Sequence, residues 1–123
     1  MSNINLTQTT PINYGNNHIT KYAVNDLVTR IVTRFQPEKV ILFGSIAKGS
    51  STINSDVDLL IVMDTELSEL QQAVEIRQFI RPEFALDIIV RRPDTVNQRL
   101  SWGDKFLKEI INTGIVLHES THP

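Results

Sequence analysis

The stretch VILFGSIAKGSSTINSDVDLLIVM, residues 40–63, constrains this chain more than any other. Val40-Ile41-Leu42-Phe43 is a short apolar run without alternation, the pattern of a strand covered on both faces. Gly44-Ser45 breaks the run at once, and glycine lets the backbone take dihedrals that a Cβ forbids. Ser45 to Lys48 then reads as one helical turn, ended by Gly49. Asp56 and Asp58 follow with one residue between them, and the chain turns apolar again from Leu59 to Met63. The order is a strand, a tight turn into a short helix, a polar loop, and a second strand that begins with carboxylates.

A helix that starts at Gly-Ser presents free N–H groups and a positive dipole end, which suits a phosphate, although such pairs also form ordinary turns. Strand side chains alternate, so Asp56 and Asp58 project from one face, about 6.6 Å apart along the chain. Carboxylates that close repel unless something positive lies between them. Magnesium suits the position, because it takes hard oxygen ligands at about 2.1 Å from one or two carboxylates plus phosphates. A solvated strand start or an Asx turn is the plainer reading of the pair alone.

Asp87 lies in the apolar segment FALDIIV, residues 84–90. A carboxylate there needs a partner or a cation. Arg91 or Arg92 could pair with it. If its strand lies beside the one that starts at Asp56, three carboxylates converge below the Gly-Ser turn, the arrangement two-metal phosphate chemistry requires. Other motifs fail. A P-loop needs Lys directly after its second glycine, whereas Lys48 precedes Gly49. No glycine or glutamate stands at EF-hand offsets after Asp56. A Ser-His-Asp site has no support, since His18, His118 and His122 sit in no motif of their own and read as surface residues.

The joint pattern of Gly44-Ser45, ten residues, Asp56-Val57-Asp58, and Asp87 in a later strand resembles the nucleotidyltransferase superfamily related to DNA polymerase β. The wording FGSIAKG…SDVDLLIV resembles its minimal nucleotidyltransferases in particular. The likeness runs from Val40 to Val90. It implies a small mixed β-sheet with helices packed on it, an α/β (α+β) fold. It implies that Gly44, Ser45, Lys48 and Ser55 bind the nucleotide, and that Asp56, Asp58 and Asp87 are catalytic and bind two Mg2+ ions, with ATP as substrate. Lys48 stands where relatives often carry arginine, and its point charge cannot reproduce a planar fork. Minimal nucleotidyltransferases are commonly paired with HEPN-domain ribonuclease toxins. The resemblance therefore implies an antitoxin, a protein adenylyltransferase that moves AMP onto a toxin tyrosine. Neutralisation by binding alone, and a dimeric enzyme acting on a small molecule, are the alternatives.

With 123 residues the chain is one domain, too short for a separate acceptor-binding domain. The net charge of −2 argues against a broad nucleic-acid surface, so no direct nucleic-acid binding is expected. No cysteine is present, which excludes disulfides and thiolate zinc sites. No apolar stretch is long enough to span a membrane, and the N-terminus does not read as a signal peptide, so a cytoplasmic protein is expected.

The expected organisation is a loose tail over residues 1–17 containing Tyr14, a domain over 18–118, and a short tail over 119–123. From about Ile19, Val24, Leu27, Val28, Ile31, Val32 and Phe35 recur at helical steps, and Pro37 ends that helix. Asp64 and Thr65 read as a turn or cap. Leu67 to Ile80 reads as a helix with Leu70, Ala73, Val74 and Arg77 along one face. Strand, helix, strand in this order suggests a crossover unit. Arg91 and Arg92 read as a solvated strand end or a contact to nucleotide or partner, with Asp94 as the next N-cap. Helices are expected from Asp94 to Leu100 and from Asp104 to Asn112, then a stop at Gly114 and a short edge strand over Ile115 to Leu117. Phe106, Ile110 and Ile111 read as core, and Trp102 either closes the core or anchors a partner.

Overall fold

Alternation along the strands decides how this chain layers. The computed structural model describes residues 2–4, 21–52 and 54–120. In chain order these form β1 (Ser2–Ile4), α1 (Lys21–Phe35), β2 (Lys39–Phe43), α2 (Gly44–Lys48), β3 (Val57–Val62), α3 (Glu69–Ile80), β4 (Leu86–Arg91), α4 (Pro93–Ser101), α5 (Lys105–Thr113) and β5 (Ile115–Ser120). One mixed sheet has the order β1-β5-β2-β3-β4. Among the described residues only β3 and β4 pair in parallel, joined by α3 as the crossover; the other pairings are antiparallel. This is the α/β architecture expected of the sequence.

Val40, Leu42, Leu59 and Ile61 point to one side of the sheet, where they meet α1 and α3. Ile41, Phe43, Leu60 and Val62 point to the other, where Val96 of α4 and Leu107 and Ile110 of α5 cover them. Burial on both sides explains why the apolar runs lack alternation. Helix α1 buries Val24, Leu27, Val28, Ile31 and Val32, the face its periodicity marks. The edge of Phe79 in α3 packs against Phe35, and the Arg34 guanidinium lies over both rings.

Several local expectations are corrected. Thr65 makes a turn, its Oγ1 accepting the Leu67 amide at 3.1 Å and donating to Gln72 Oε1, but the N-cap of α3 is Ser68, whose Oγ accepts from the Gln71 amide at 3.0 Å. The buried face of α3 is Gln72, Ile76 and Ile80 with Ala73 beside it, and Leu70 and Val74 are exposed. Arg92, not Asp94, occupies the N-cap of α4, because Pro93 takes the first helical position, where a missing N–H costs nothing. Trp102 is 71 % exposed and closes no core, and Phe106 and Ile111 are also exposed. Trp102 caps the C-terminus of α4, and Phe106 lies at the margin of the buried face of α5, its ring against Phe43 beside Leu107 and Ile110.

Strand β5 is interior, with β1 on one side and β2 on the other, and runs on through Glu119 and Ser120. His118, expected at the surface, is buried, and its Nε2 lies 3.1 Å from the Pro37 carbonyl. Tyr14, His18, Ile19 and His122 lie outside the described residues. Among the described residues no helix is long and apolar enough to cross a membrane.

Candidate active site

The carboxylates gather because of strand register. Parallel pairing sets Asp58 of β3 directly beside Asp87 of β4. Antiparallel pairing sets Asp58 opposite Phe43, the last residue of β2. Asp58 and Asp87 alternate with residues of the α1/α3 side, so both project on the α4/α5 side, at the end of the sheet where β2 stops. Asp56 precedes β3 by one residue, on the same side by alternation, and is exposed.

Gly44 turns the chain from β2 into α2 at a φ of +82°, a conformation costly for residues with a Cβ. A Cβ at that position would also collide with Oδ2 of Asp58. The glycine therefore brings bare backbone against the carboxylate. Helix α2 has no side-chain cap at Phe43, and it ends at Gly49 in the left-handed conformation, with the Ser50 amide donating to the Ser45 carbonyl. The Ser45 hydroxyl donates to Ser55 Oγ at 3.1 Å, and Ser55 Oγ accepts the Thr52 amide at 2.7 Å. Ser55 is buried, so it ties the loop after α2 to Ser45 from behind.

Burial, then the negative charges of Asp87 and Asp56 and a hydrogen bond with the Asp87 carboxyl, push the Asp58 carboxyl up to about 6. The same crowding of negative charge that raises this half-buried group would be relieved by a cation between the carboxylates. Among the described residues no group of three His, Cys, Asp or Glu side chains stands ready as a metal cage. Magnesium does not need one, since it binds through one or two carboxylates together with phosphate and water oxygens. The all-oxygen donors, the cluster of like charge and the bare backbone at Gly44 fit such an ion, and Asp56, Asp58 and Asp87 are the side chains that would hold it.

The remaining candidate residues are spent differently. Lys48 Nζ pairs with Glu109 Oε1 of α5 at 2.7 Å, both side chains about half exposed. Arg92 does not reach the carboxylates; it donates to the carbonyls of Thr65 and Leu67 and so fastens the loop before α3. Arg91 donates to its neighbour's carbonyl, Val90 O. Sequence reasoning missed Glu109, Phe43 and Thr113 as neighbours of the site. With Gly44, Lys48, Phe106 and Ile110 they line a cavity of about 110 Å³ between α2 and α5. Glu109 and Thr113 share one helical face, but nothing local ties that face to a turn so far back in the chain. A larger cavity, about 340 Å³, is lined by Leu27, Arg30, Ile80 and Phe84 on the opposite side of the sheet, away from the carboxylates.

The mixed sheet sets a Gly-Ser turn against paired strand carboxylates, the arrangement that the resemblance to nucleotidyltransferases implies. Residues 24–117 match the model of the nucleotidyltransferase domain, and the chain belongs to that family of enzymes. A protein of Methanocaldococcus jannaschii named "Putative protein adenylyltransferase MJ0604" is 26% identical over 98 residues, spanning 78% of this chain and 95% of that protein. The crystal structure of a Sulfolobus solfataricus protein described as a "putative nucleotidyltransferase" superposes with a TM-score of 0.56 at 21% identity, covering 77% of this chain and 76% of the other. A toxin–antitoxin structure with AMP-PNP superposes at 0.50 with 15% identity, covering 79% and 74%. At these identities the two structural likenesses are likenesses of fold.

Proposed function

We propose that this nucleotidyltransferase moves AMP from ATP onto a hydroxyl group of a partner protein, as the antitoxin of a HEPN ribonuclease toxin modified on a tyrosine. The observation that carries the reading is the Asp58–Asp87 pair, with Asp58 lying against Gly44. The relative named as a protein adenylyltransferase, matched over 95% of its length, supports a protein acceptor. The likeness to a toxin–antitoxin structure with AMP-PNP supports the toxin and the adenine nucleotide.

The Gly44-Ser45 turn holds the triphosphate, with Ser55 keeping the Ser45 hydroxyl in place. Lys48 leaves Glu109 for a phosphate oxygen. Asp56, Asp58 and Asp87 hold Mg2+, which when bound stabilises charge on the entering and leaving oxygens. The acceptor oxygen bonds to the α-phosphorus in line, the bond to the β-phosphate oxygen breaks, and pyrophosphate leaves. Asp87 helps to take the proton from the acceptor hydroxyl. Two carboxylates on neighbouring strands fix the geometry of attack before substrate arrives.

The test is transfer from α-phosphate-labelled ATP with magnesium, using the protein co-expressed with its genomic neighbour, beside the Asp56→Asn, Asp58→Asn variant. Label on the neighbour protein only with intact carboxylates supports the reading. Binding of the two proteins with no label on either assigns neutralisation to the complex alone.

A further inference from the structure

Strand β4 carries Asp87 and lies at the edge of the sheet, with β3 as its neighbour among the described residues. The Val57 amide donates to the Ala85 carbonyl at 3.0 Å and the Met63 amide to the Arg91 carbonyl at 3.1 Å. By alternation the backbone groups of Asp87 and Ile89 also face β3, and the carbonyls of Leu86, Ile88 and Val90 face away from the sheet. An unpaired edge of this kind is open to fraying and to pairing with foreign strands. Asp87 is the second residue of β4, close to where fraying begins.

Helix α3 ties that edge down at both ends. Near the C-terminus of the helix, the Arg77 guanidinium donates to the Leu86 carbonyl. In its first turn, Glu69 Oε2 accepts the Arg92 amide at 2.8 Å, just beyond the other end of β4. The Arg77 tie is the one that adjoins a carboxylate of the site. Leu86 is buried, so water has little access to its carbonyl once the guanidinium is gone.

We infer, on the transferase reading above, that Arg77 is a positioning residue for the reaction: through the Leu86 carbonyl it keeps the first residues of β4 closed on β3 and so steadies the Asp87 carboxylate beside Asp58. The ladder decides which residue neighbours Asp58. Arg77 decides how firmly that neighbour is held. It acts from helix α3, on the α1/α3 side, while the carboxylates project on the α4/α5 side. Arg77 therefore touches neither nucleotide nor acceptor. Its loss falls on the rate of the bound complex and spares the binding of ATP.

The experiment compares the full chain with Arg77→Ala, Arg77→Lys and Glu69→Ala, thermal melts confirming that each is folded. Two properties are read. One is site-resolved amide hydrogen exchange along β4 without ligand. The other is kcat and KM for transfer from α-phosphate-labelled ATP, with magnesium, to the co-expressed neighbour protein. In Arg77→Ala the Asp87 amide exchanges about tenfold faster relative to the Ile89 amide, and kcat falls about tenfold with the KM for ATP unchanged. Arg77→Lys, which keeps a donor on a flexible stem, recovers most of both. Glu69→Ala loosens the far end of β4 and leaves kcat as it is. If Arg77→Ala does not fold, Arg77→Gln, a shorter donor, takes its place. Equal acceleration along the whole strand, or the same loss of kcat in Glu69→Ala, makes Arg77 a general tie between helix and sheet and overturns the inference. A raised KM for ATP at constant kcat overturns it too, by placing Arg77 in nucleotide binding. Wild-type protein that transfers nothing overturns the transferase reading and this inference together, whereas a wild-type kcat in Arg77→Ala overturns the inference alone.

Discussion

Gly44 and Asp58 face each other so closely that the glycine's missing Cβ is what leaves room for the carboxylate. Space and the φ of +82° both argue against a side chain there. Gly44→Ala should cost about 1–2 kcal/mol from the left-handed backbone alone. It should also displace Asp58 and lower transfer by about 10²-fold, the order expected of a 1 Å misplacement. Activity and melting temperature measured on the same preparation test this; an unchanged rate would show that the close approach is incidental.

Asp58 sets a pH dependence with opposite consequences for stability and activity. The folded chain binds its proton more tightly than the unfolded chain, since the carboxyl is raised from 3.8 to about 6. Its contribution to stability is full below pH 3.8 and is lost as pH rises to about 6. Catalysis needs the ionised form, so kcat/KM, which reports the free enzyme, should fall by about tenfold per pH unit below about 6. Asp58→Asn should abolish transfer and yet raise the unfolding free energy at pH 7.5 by about 1 kcal/mol, after allowance for solvent screening of a half-exposed group. Urea titrations at pH 5 and 7.5 should show the gain shrinking at the lower pH.

Lys48 and Glu109 form an exposed pair, and such pairs stabilise by roughly 0–1 kcal/mol. Lys48→Ala should leave the melting temperature almost unmoved and raise the KM for nucleotide about tenfold. A variant with lowered stability and unaltered KM would assign the lysine to holding α5 and nothing more.

His118 is buried against the Pro37 carbonyl. His118→Leu should keep the volume but strand a buried acceptor, costing about 1–3 kcal/mol, with kcat retained in what remains folded. Equilibrium denaturation checks it.

At Gly114 the obstacle is proximity, with no positive φ involved. A Cβ there would run into the Ile110 carbonyl and come within 2.6 Å of Ile41 Cγ2, between α5 and β2. Gly114→Ala should therefore destabilise by about 1–3 kcal/mol through overpacking. A melting temperature equal to wild type would show that α5 can shift without penalty.

What the sequence disclosed follows a physical line. Helix α1 was legible because five residues bury on one stripe and the rest meet water. The strands β2 and β3 were legible because burial on both sides leaves unbroken apolar runs, and β4, at the sheet edge, because Ile88-Ile89-Val90 follows Asp87. The Gly-Ser turn and the three aspartates stood out as polar or flexible residues abutting those runs. Illegible were features decided by partners far along the chain. Leu70 and Val74 look like core residues, yet α3 turns inward the stripe of Ile76 and Ile80, which carries Gln72 with it, its amide oxygen accepting from Thr65. Phe106 reads as core by type, yet it packs on Phe43 at the margin of the sheet and stays half exposed, because Leu107 and Ile110 already fill the space beneath α5. His118 carries no local sign of Pro37. Asp94 lost the cap position to its neighbour because Pro93 already fits the first helical turn.

The parallel pairing of β3 with β4 makes the reactive centre indifferent to what joins them. Asp58 and Asp87 keep their spacing through the ladder. Residues added to or removed from the turns on either side of α3 would leave the two side by side. A single residue inserted within either strand would instead send one aspartate to the α1/α3 side of the sheet, into the apolar core. Length is thus negotiable between the strands and fixed within them, which tells an engineer where this small enzyme can accept a graft and where it cannot.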